Sequence, residues 1–330
     1  MQAASSLRRP LLGAALALCG LAATGLQTAH AQAAWPSKPI KVVVGFAPGG
    51  STDVMARILS QSLSESLGQP VVVDNKPGAS GNIAASEVVR AAPDGYTFLI
   101  APTSVETANP SLFKSTILPS RDLTPVSGIG RTQMYLVAKP QMAAKDVREL
   151  VALAKSQPGK MSYASAGAGT PPHLACELFK LSTGTFITHI PYRGAAPALQ
   201  DVLSGQADFV CDPGIAFPHI RSGKVKLLGV VSSKRSPFFP DVPTVAEQGF
   251  KGDTMDIWFG MWAPNGTPPD VMARMGREAA KALAQPGLKS RFGDLGAEPA
   301  PLDAAEFKAL LVNEGKLLSG LIKEQKISVE

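Results

Sequence analysis

The chain has 330 residues, of which 45% are hydrophobic and 18% are charged. This length and composition can supply the cores of about two domains, which excludes a globally disordered chain. The formal net charge of +6 is spread without a run of lysine or arginine, which argues against a nucleic-acid-binding protein, and three cysteines are too few for a disulfide scaffold.

Residues 1–31 have the pattern of a secretory signal peptide. Arg8 and Arg9 precede an apolar stretch at residues 11–23, and an Ala-x-Ala cleavage site follows at residues 29–31. The apolar stretch is shorter than the roughly 20 residues that span a bilayer, which disfavours a membrane anchor. We therefore expect cleavage after this site and a periplasmic mature protein, with the general and the twin-arginine export routes both left open.

Two cysteines, Cys176 and Cys211, follow the predicted signal peptide. An exported compartment permits a disulfide bond. Both cysteines stand in apolar segments, and cysteines in such positions more often pack in a core as single thiols. The sequence favours core packing and leaves the pairing open.

A strand–loop–helix alternation begins close after the signal peptide. The first predicted elements are strands at residues 40–46, 71–73 and 96–101 and helices at residues 51–67 and 83–91. The β-branched run of the first strand is typical of a buried parallel strand. Ser51 is the predicted cap of the first helix, and Gly68 its end. Such alternation with short connections predicts a parallel α/β sheet.

The alternation restarts near residue 132. The predicted strands of this part cover residues 134–138, 161–164, 186–190, 208–211, 225–231 and 256–263, and the predicted helices cover residues 146–154, 171–181 and 195–203. The tail is helical: residues 267–270 place proline in a first helical turn, and residues 303–306 form a capping box. No segment has the composition of a loose linker, so we expect two α/β lobes joined by more than one chain crossing.

Three motifs of catalysis and cofactor binding are each incomplete in this sequence. Residues 78–82 lack the last glycine of a nucleophile elbow, residues 167–172 end in proline where a dinucleotide fingerprint needs glycine, and residues 45–51 lack the lysine of a P-loop. The three histidines beyond the signal peptide have no metal-ligand spacing: His173, His189 and His219. We expect no catalytic residue, no metal and no cofactor.

Three glycine-rich loops each lead into a predicted helix, at residues 48–53, 77–81 and 165–170. A helix N-terminus carries free N–H donors and about half a positive charge, and glycine lets a ligand approach the backbone closely. Several such ends that converge form an anion site without lysine. The alternative is that these loops are the ordinary turns of an α/β protein.

Individual side chains near these loops allow more than one interpretation. Asp53 could balance the helix dipole, brace its loop or meet a ligand donor, while His173 is expected to brace its loop rather than act as a base. Arg193 could pair with a ligand carboxylate or hold its loop to a neighbour, and Asp212 follows a strand end, where α/β proteins bind ligands. Three aromatic residues favour core packing over a stacking platform: Trp258, Phe259 and Trp262.

Ordered motifs along the chain carry a family resemblance. They lie at residues 35–40, 45–53, 75–82, 93–97, 191–199, 241–247 and 258–268. In this order they resemble the periplasmic solute-binding proteins of tripartite tricarboxylate transporters, the TctC or Bug (Bordetella uptake gene) family. The resemblance covers essentially the whole chain after the predicted signal peptide.

The resemblance implies a fold and a division into lobes. The implied fold is α/β, the two-lobe type II periplasmic-binding-protein or Venus-flytrap fold, with two crossover strands near residues 134–138 and 258–263. Lobe 1 would contain residues 32–132 plus 258–330, and lobe 2 would contain residues 133–257.

The resemblance also implies a ligand site. One ligand carboxylate would bind at the loop of residues 48–53, partly through ordered waters, with residues 75–82 nearby. The other lobe would close with residues 165–173 and the region of Arg193 and Asp212. The predicted ligand-binding residues are Phe46, Pro48, Gly49, Gly50, Ser51, Thr52, Asp53, Gly81, Asn82, Thr103, Ser104, Ser165, Gly167, Gly169, Thr170, His173, Arg193 and Asp212.

The implied function is that of a monomeric receptor. It would capture a small carboxylate (a di- or tricarboxylate, an acidic amino acid or an aromatic carboxylate) and deliver it to a membrane permease. Residues 79–81 depart from the Gly-Ala-Gly-Gly type of run in many relatives, which leaves the ligand open. Two alternatives are a sensor that presents its ligand to a membrane kinase and an exported enzyme that acts on an acidic substrate.

Overall fold

The structure, a computed structural model, describes residues 35–114, 117–252, 255–324 and 326–329. The predicted signal peptide lies outside these residues. Every strand and helix below belongs to Lys38–Glu330, one of the two units into which the chain divides.

The first sheet has six strands. In chain order they are β1 (Ile40–Val44), β2 (Val71–Asn75), β3 (Thr97–Pro102), β4 (Leu123–Thr132), β10 (Ile257–Pro264) and β11 (Ala297–Leu302). Their spatial order is β11-β4-β10-β3-β1-β2. β1 pairs in parallel with β2 and β3, whereas β10 is antiparallel to β3 and β4. The prediction of a parallel sheet is therefore wrong for three of its five strand pairings, because β10 and β11 run opposite to the other four strands.

The second sheet has five strands. They are β5 (Tyr135–Ala138), β6 (Ser162–Ser165), β7 (Thr188–Pro191), β8 (Phe209–Asp212) and β9 (Lys226–Val230), in the spatial order β7-β6-β8-β5-β9. β6 pairs in parallel with β7 and β8, and β5 is antiparallel to β8 and β9. The chain leaves the first sheet after β4 and returns to it at β10. The residue bounds of the two lobes remain a prediction.

Helices connect the strands of both sheets. In the described residues they are α1 (Ser51–Leu67), α2 (Asn82–Val89), α3 (Ser104–Thr107), α4 (Asn109–Leu112), α5 (Pro119–Asp122), α6 (Val147–Ser156), α7 (Pro171–Thr183), α8 (Ala195–Ser204), α9 (Phe217–Arg221), α10 (Pro269–Ala284), α11 (Pro286–Gly293) and α12 (Ala304–Glu324). The long helices and most strands match their predicted bounds within a few residues.

Helix ends follow the local chemistry of the sequence with one correction. Gly68 ends α1 in the left-handed conformation, and the predicted capping box before α12 forms, with Asp303 Oδ1 accepting from the Glu306 N–H at 2.9 Å. The cap of α1 is Gly50 rather than Ser51. Gly50 has the extended backbone of a cap residue, so Ser51 is the first helical residue and its hydroxyl is left for other contacts.

Strands β4 and β11 were not predicted. The sequence of β4 contains a proline and two glycines, and β11 contains Pro299 and Pro301. β11 is at the edge of its sheet, where proline is tolerated because one side of the strand needs no ladder hydrogen bond. Such residues disfavour a strand in the sequence pattern, although the fold accommodates Pro299 and Pro301 at this edge.

Cys176 in α7 and Cys211 in β8 form a disulfide bond, with their Cα atoms 5.8 Å apart. Both side chains are fully buried, as the sequence suggested, but the preference for unpaired thiols was wrong. The adjacency of α7 and β8 is a tertiary relation that spacing in the sequence does not report.

The aromatic residues of β10 pack in the core. Trp262 is fully buried, lies 5.1 Å from the ring of Phe307 in α12, and donates its indole N–H to Glu106 at 2.8 Å. Phe259 is also buried, whereas Trp258 is half-buried beside Arg131. The core interpretation is confirmed for Trp262 and Phe259.

Candidate functional site

A cavity lies where three helices begin, one from the first sheet and two from the second. The empty space between its lining atoms, open solvent included, is about 330 Å³. Its walls are formed by Phe46, Gly50, Ser51, Thr52, Pro102, Ala166, Thr170, Pro171, Pro172, Ala195, Pro213, Ile257 and Phe259. The starts of α1, α7 and α8 therefore face one space, as an anion site requires.

The three helix starts offer unequal numbers of hydrogen-bond donors. α1 presents the first-turn N–H groups of Ser51, Thr52 and Asp53, which no helical carbonyl can accept. α8 presents Ala195 and Ala196 before a proline. α7 begins with two prolines and contributes little backbone donor capacity. The donor surface of the cavity thus comes mainly from α1 and α8.

The cavity wall is mostly apolar and carries no charged side chain. No lysine, arginine, aspartate or glutamate is among its lining residues. Within the described parts of the chain, no hydrogen bond occupies the hydroxyl of Ser51 or Thr52. Attraction for an anion must then come from N–H groups, hydroxyl groups and the helix dipoles.

Asp53 braces the first loop from behind the cavity. Its carboxylate accepts from the Gly49 N–H at 2.9 Å, from Asn75 Nδ2 at 2.8 Å and from Arg57 Nε at 3.0 Å. Asn75 also donates to the Phe46 carbonyl at 3.0 Å. Burial acts to raise the pKa of Asp53, but the bonds from Arg57, Gly49 and Asn75 outweigh it and hold the pKa below its usual value. Both carboxylate oxygens are engaged in holding the loop.

The opposing loop is braced by histidine. His173 Nδ1 accepts from the Gly169 N–H at 3.1 Å, and the His173 ring stacks on His189 with 4.3 Å between centroids. Ser165 Oγ lies 2.6 Å from His189 Nε2, and Thr170 Oγ1 donates to the Gly167 carbonyl at 2.6 Å. Burial lowers the pKa of His173, which keeps the ring neutral and able to accept. This geometry fits the bracing role predicted for His173.

The loop before α1 meets the loop before α8 across the cleft. The Ala47 N–H donates to the Arg193 carbonyl at 3.3 Å. A Cβ placed on Gly49 would lie 3.6 Å from Ala196 Cβ, and a Cβ on Gly169 would lie 2.7 Å from the ring of Phe113. Glycine at these two positions lets the opposing walls approach closely.

The predicted site residues fall into three groups. Those that line the cavity are Phe46, Gly50, Ser51, Thr52 and Thr170. Gly167 and Arg193 line a second cavity next to it. Those that line neither are Pro48, Gly49, Asp53, Gly81, Asn82, Thr103, Ser104, Ser165, Gly169, His173 and Asp212.

Members of the third group have other positions. Gly81 packs behind the Phe46 ring, and Asn82 accepts from Asn109 Nδ2 at 2.9 Å. Thr103 and Ser104 are buried at the start of α3, directly after the lining residue Pro102. The lining residues that sequence reasoning missed are small or apolar and carry no chemical signal: Pro102, Ala166, Ala195, Pro213, Ile257 and Phe259.

The loop before α2 has a strained backbone. Ala79 and Ser80 both have left-handed φ angles, 47° and 52°. Glycine adopts that conformation at little cost, whereas alanine and serine do not. This loop lines the second cavity rather than the first. The sequence predicted the loop as the third wall of the anion site, and the start of α8 forms that wall instead.

Asp212 is fully buried beside the cavity without lining it. Its Oδ2 accepts from the N–H groups of Gly214 at 2.7 Å and Ala216 at 3.0 Å, while no described residue is a partner for Oδ1. Burial raises the pKa of Asp212 to about 7, against the opposing effect of the two backbone bonds. The next residue, Pro213, forms part of the cavity wall.

The raised pKa of Asp212 predicts a pH-dependent stability. Between about pH 4 and pH 7 the folded state keeps a proton that the unfolded state has lost, so the free energy of unfolding falls as the pH rises. Asp212→Asn cannot ionise, and we expect it to gain about 4 kcal/mol relative to wild type between pH 4 and pH 8. Urea unfolding at both pH values measures this gain, with Asp241→Asn at an exposed carboxylate as the control. Parallel pH profiles for wild type and Asp212→Asn would contradict the assignment.

The chain is similar to known proteins in both sequence and structure. A family model described as the tripartite tricarboxylate transporter family receptor, TctC, matches residues 55–327. The periplasmic binding protein BugD superposes with a TM-score of 0.85 at 36% identity, over 89% of this chain and 99% of BugD.

Two further solved structures contain ligands. The R. palustris protein Rpa4515 with adipate has a TM-score of 0.86 at 33% identity, over 89% of this chain and 99% of that one. MatC (Rpa3494) from Rhodopseudomonas palustris with bound malate has a TM-score of 0.82 at 33% identity, over 87% of this chain and 100% of that one.

Family members are periplasmic binding proteins. In the described residues, no helix combines the length and the apolar character that a membrane span needs. The family match, the two α/β sheets and the superposition on BugD agree with one another. The chain belongs to the TctC or Bug family of tripartite tricarboxylate transporter receptors and has their two-lobe periplasmic-binding-protein fold.

Proposed function

We propose that this protein is a periplasmic receptor that captures a small carboxylate between its two lobes. The observation that carries the proposal is the cavity in which the starts of α1 and α8 face each other without a charged side chain. Backbone N–H groups at helix starts bind carboxylates well, because they combine hydrogen bonds with the helix dipole. The adipate-bound and malate-bound relatives support the same ligand class.

Binding would act through lobe closure. A ligand carboxylate that contacts both α1 and α8 interacts better with the closed arrangement than with an open one, so it shifts the population toward closure. The closed receptor would then deliver its ligand to a membrane permease of the tripartite tricarboxylate type. We propose that it acts as a monomer, without a cofactor or a nucleic-acid partner.

Export through the predicted signal peptide fits the disulfide between Cys176 and Cys211. Stable disulfides form in oxidising compartments such as the periplasm. A sensor that presents the ligand to a membrane kinase would use the same site and the same closure. Loss of cellular uptake after deletion of the gene would favour transport, whereas loss of a transcriptional response alone would favour sensing.

An enzymatic role has little support in the site. Ser165 and His189 lie within hydrogen-bond distance, but Ser165 is fully buried, also accepts from the Gly167 N–H, and lines neither cavity. A nucleophile must reach its substrate, and this hydroxyl is held inside the loop. We propose that the pair stabilises the loop and that the protein is not an enzyme.

A thermal-shift screen tests the proposed function. We expect di- and tricarboxylates, acidic amino acids or aromatic carboxylates to raise the melting temperature of the purified protein. A ligand at about 100 times its Kd adds about 2.7 kcal/mol, which corresponds to roughly 4 °C for a chain of this size. Neutral sugars and organic cations serve as controls. Stabilisation by those controls alone would contradict binding at helix starts.

A further inference from the structure

Two histidine rings stack behind the loop of residues 165–170, which contributes Ala166 and Thr170 to the cavity wall. The rings of His173 in α7 and His189 in β7 have 4.3 Å between their centroids. His173 is 3% exposed, His189 is half-buried, and neither lines the cavity. Binding of a carboxylate in the cavity makes no direct use of these two titratable groups, so their placement needs another explanation.

The hold of His173 on the loop depends on an unprotonated nitrogen. Its Nδ1 accepts from the Gly169 N–H at 3.1 Å, and an imidazole nitrogen accepts a hydrogen bond only when it carries no proton. The proton of the neutral ring is then on Nε2, which lies 4.0 Å from Glu177 Oε1. A second proton would make Nδ1 a donor, which would face the Gly169 N–H and break the contact.

The groups that face the two rings belong to three elements. They are Tyr163 of β6, Glu177 and Lys180 of α7, and the rings of His173 and His189 themselves. Tyr163 donates to Glu177 Oε1, and Lys180 Nζ donates to the same atom at 2.8 Å. Burial acts to raise the pKa of Glu177, but these bonds and the charge of Lys180 outweigh it. Glu177 therefore stays ionised beside His173.

Burial lowers the pKa values of both histidines, and the size of each change determines which ring takes the first proton. Burial has the largest effect on the pKa of His173, the Glu177 carboxylate opposes it, and Lys180 acts with it. Burial and the charge of a protonated His173 lower the pKa of His189 to about 4. The first proton that enters this pair at acidic pH therefore binds to His173, the ring that holds the loop.

Gly169 also lies against the opposite side of the cleft. A Cβ placed on Gly169 would lie 2.7 Å from the Phe113 ring and 3.3 Å from Leu112 Cδ1, at the end of α4. The next residue, Thr170, belongs to the cavity wall. A displacement of Gly169 would therefore disturb both the contact between the two sides of the cleft and the wall of the cavity.

We propose that His173 is a proton-sensitive brace: a proton on its ring frees the loop of residues 165–170 and lowers the affinity of the receptor for its carboxylate. The inference rests on the proposed function, because it assumes that a carboxylate binds in the cavity. The bound state needs the neutral ring, so binding releases a proton at any pH below the pKa of His173 in the free protein. The contribution of His173 to the affinity is then constant above about pH 6.5 and falls below it by at most about tenfold per pH unit.

Titration calorimetry of the purified protein with adipate and malate, from about pH 7.5 to about pH 4.5, tests the proposal. We expect wild type to lose at least about threefold more affinity over this range than His173→Asn loses. Asparagine keeps an acceptor oxygen in the position of Nδ1 and does not titrate, so its profile reports the ionisation of the probes and of all other residues. His219→Gln, at the third histidine beyond the predicted signal peptide, is the matched control and should have the wild-type profile.

Glu177→Gln separates the effect of a proton from an effect of packing. The Glu177 carboxylate stabilises the protonated ring of His173, so its removal should move the fall in affinity to lower pH. A purely structural role of the ring would leave the midpoint of this fall in place. The NMR signals of the histidine Cε1–H groups also measure the pKa of His173 directly, and it should be lower with adipate or malate bound than without.

The outcomes distinguish the brace from the receptor function. Equal pH profiles in wild type and His173→Asn, or a pKa of His173 that a bound probe does not change, would overturn the brace and leave the receptor function intact. The NMR measurement needs only the wild-type protein, so it applies even if a variant does not fold. Absence of binding by both probes and by every carboxylate of the thermal-shift screen would overturn the receptor function itself.

Amide hydrogen exchange tests the loop without any ligand. At about pH 5, residues 165–173 should exchange faster in wild type than in His173→Asn, because the protonated ring no longer holds the Gly169 N–H. The two proteins are compared at the same pH, which cancels the effect of pH on the chemical exchange rate. Equal rates in this segment would overturn the brace whether or not a carboxylate binds.

Discussion

Gly50→Val should lower carboxylate affinity by at least about a hundredfold while the protein stays folded. Gly50 caps α1 with φ −78°, a backbone conformation that valine also adopts. A Cβ at this position would lie 3.8 Å from the Ala195 N–H nitrogen, and the methyl groups would extend into the space between α1 and α8. They would prevent a carboxylate from reaching two or more of the N–H donors. Each hydrogen bond to a charged partner contributes roughly 1.5–3 kcal/mol to the free energy of binding.

Two variants make this test specific. Gly50→Ala adds only the Cβ, which has ordinary contacts, and should weaken binding less than valine does. Gly287→Val changes a glycine of α11 with open space around it, and should leave binding unchanged. Titration of a bound carboxylate and thermal melting should be measured for all three variants. Unchanged affinity in a folded Gly50→Val protein would remove the start of α1 from the binding site.

The local parts of this fold were predictable from the sequence. The end of α1 at Gly68 and the capping box at Asp303 and Glu306 depend on interactions between residues a few positions apart. The alternation of strands and helices likewise follows from hydrophobic periodicity. These features are set by near neighbours, so a single sequence contains the information that specifies them.

The composition of the cavity was only partly predictable. The loops before α1 and α7 carry glycine signatures and do reach the cavity. The start of α8 shows only Gly194 before an alanine pair, although it supplies two of the donors. Its place opposite α1 depends on how the second sheet meets the first. In the sequence, the apolar wall residues Ile257 and Phe259 look like any other core residues. Only the tertiary structure shows that they line the cavity.

The same limit applies to the C-terminal helix. The sequence predicted α12 from its capping box and its apolar positions, but it did not show which strand the helix covers. In the structure, Phe307 lies directly on Gly260 of β10, and its ring is fully buried beside Trp262. Gly260 is therefore required by close packing from α12 rather than by a special backbone angle.

Gly260→Ala should lower the free energy of unfolding by about 3 kcal/mol or more. A Cβ at this position would lie 1.9 Å from Cζ of Phe307 and 2.5 Å from its Cε1, so the ring or the strand must shift in a close-packed core. Gly276→Ala is the matched control, because its Cβ would lie 3.5 Å from the nearest described atom, the Val126 carbonyl oxygen, and alanine favours a helix by up to about 1 kcal/mol. Urea unfolding measures both changes.

A double mutant identifies the cause of the expected loss. Phe307→Leu shortens the side chain that occupies the space of the new methyl group, and alone it should destabilise by leaving a cavity. In the Gly260→Ala background the shorter side chain makes room, so the double mutant should be more stable than the sum of the single changes indicates. Simple additivity would show that the loss arises in β10 itself, and that α12 does not hold the first sheet through this contact.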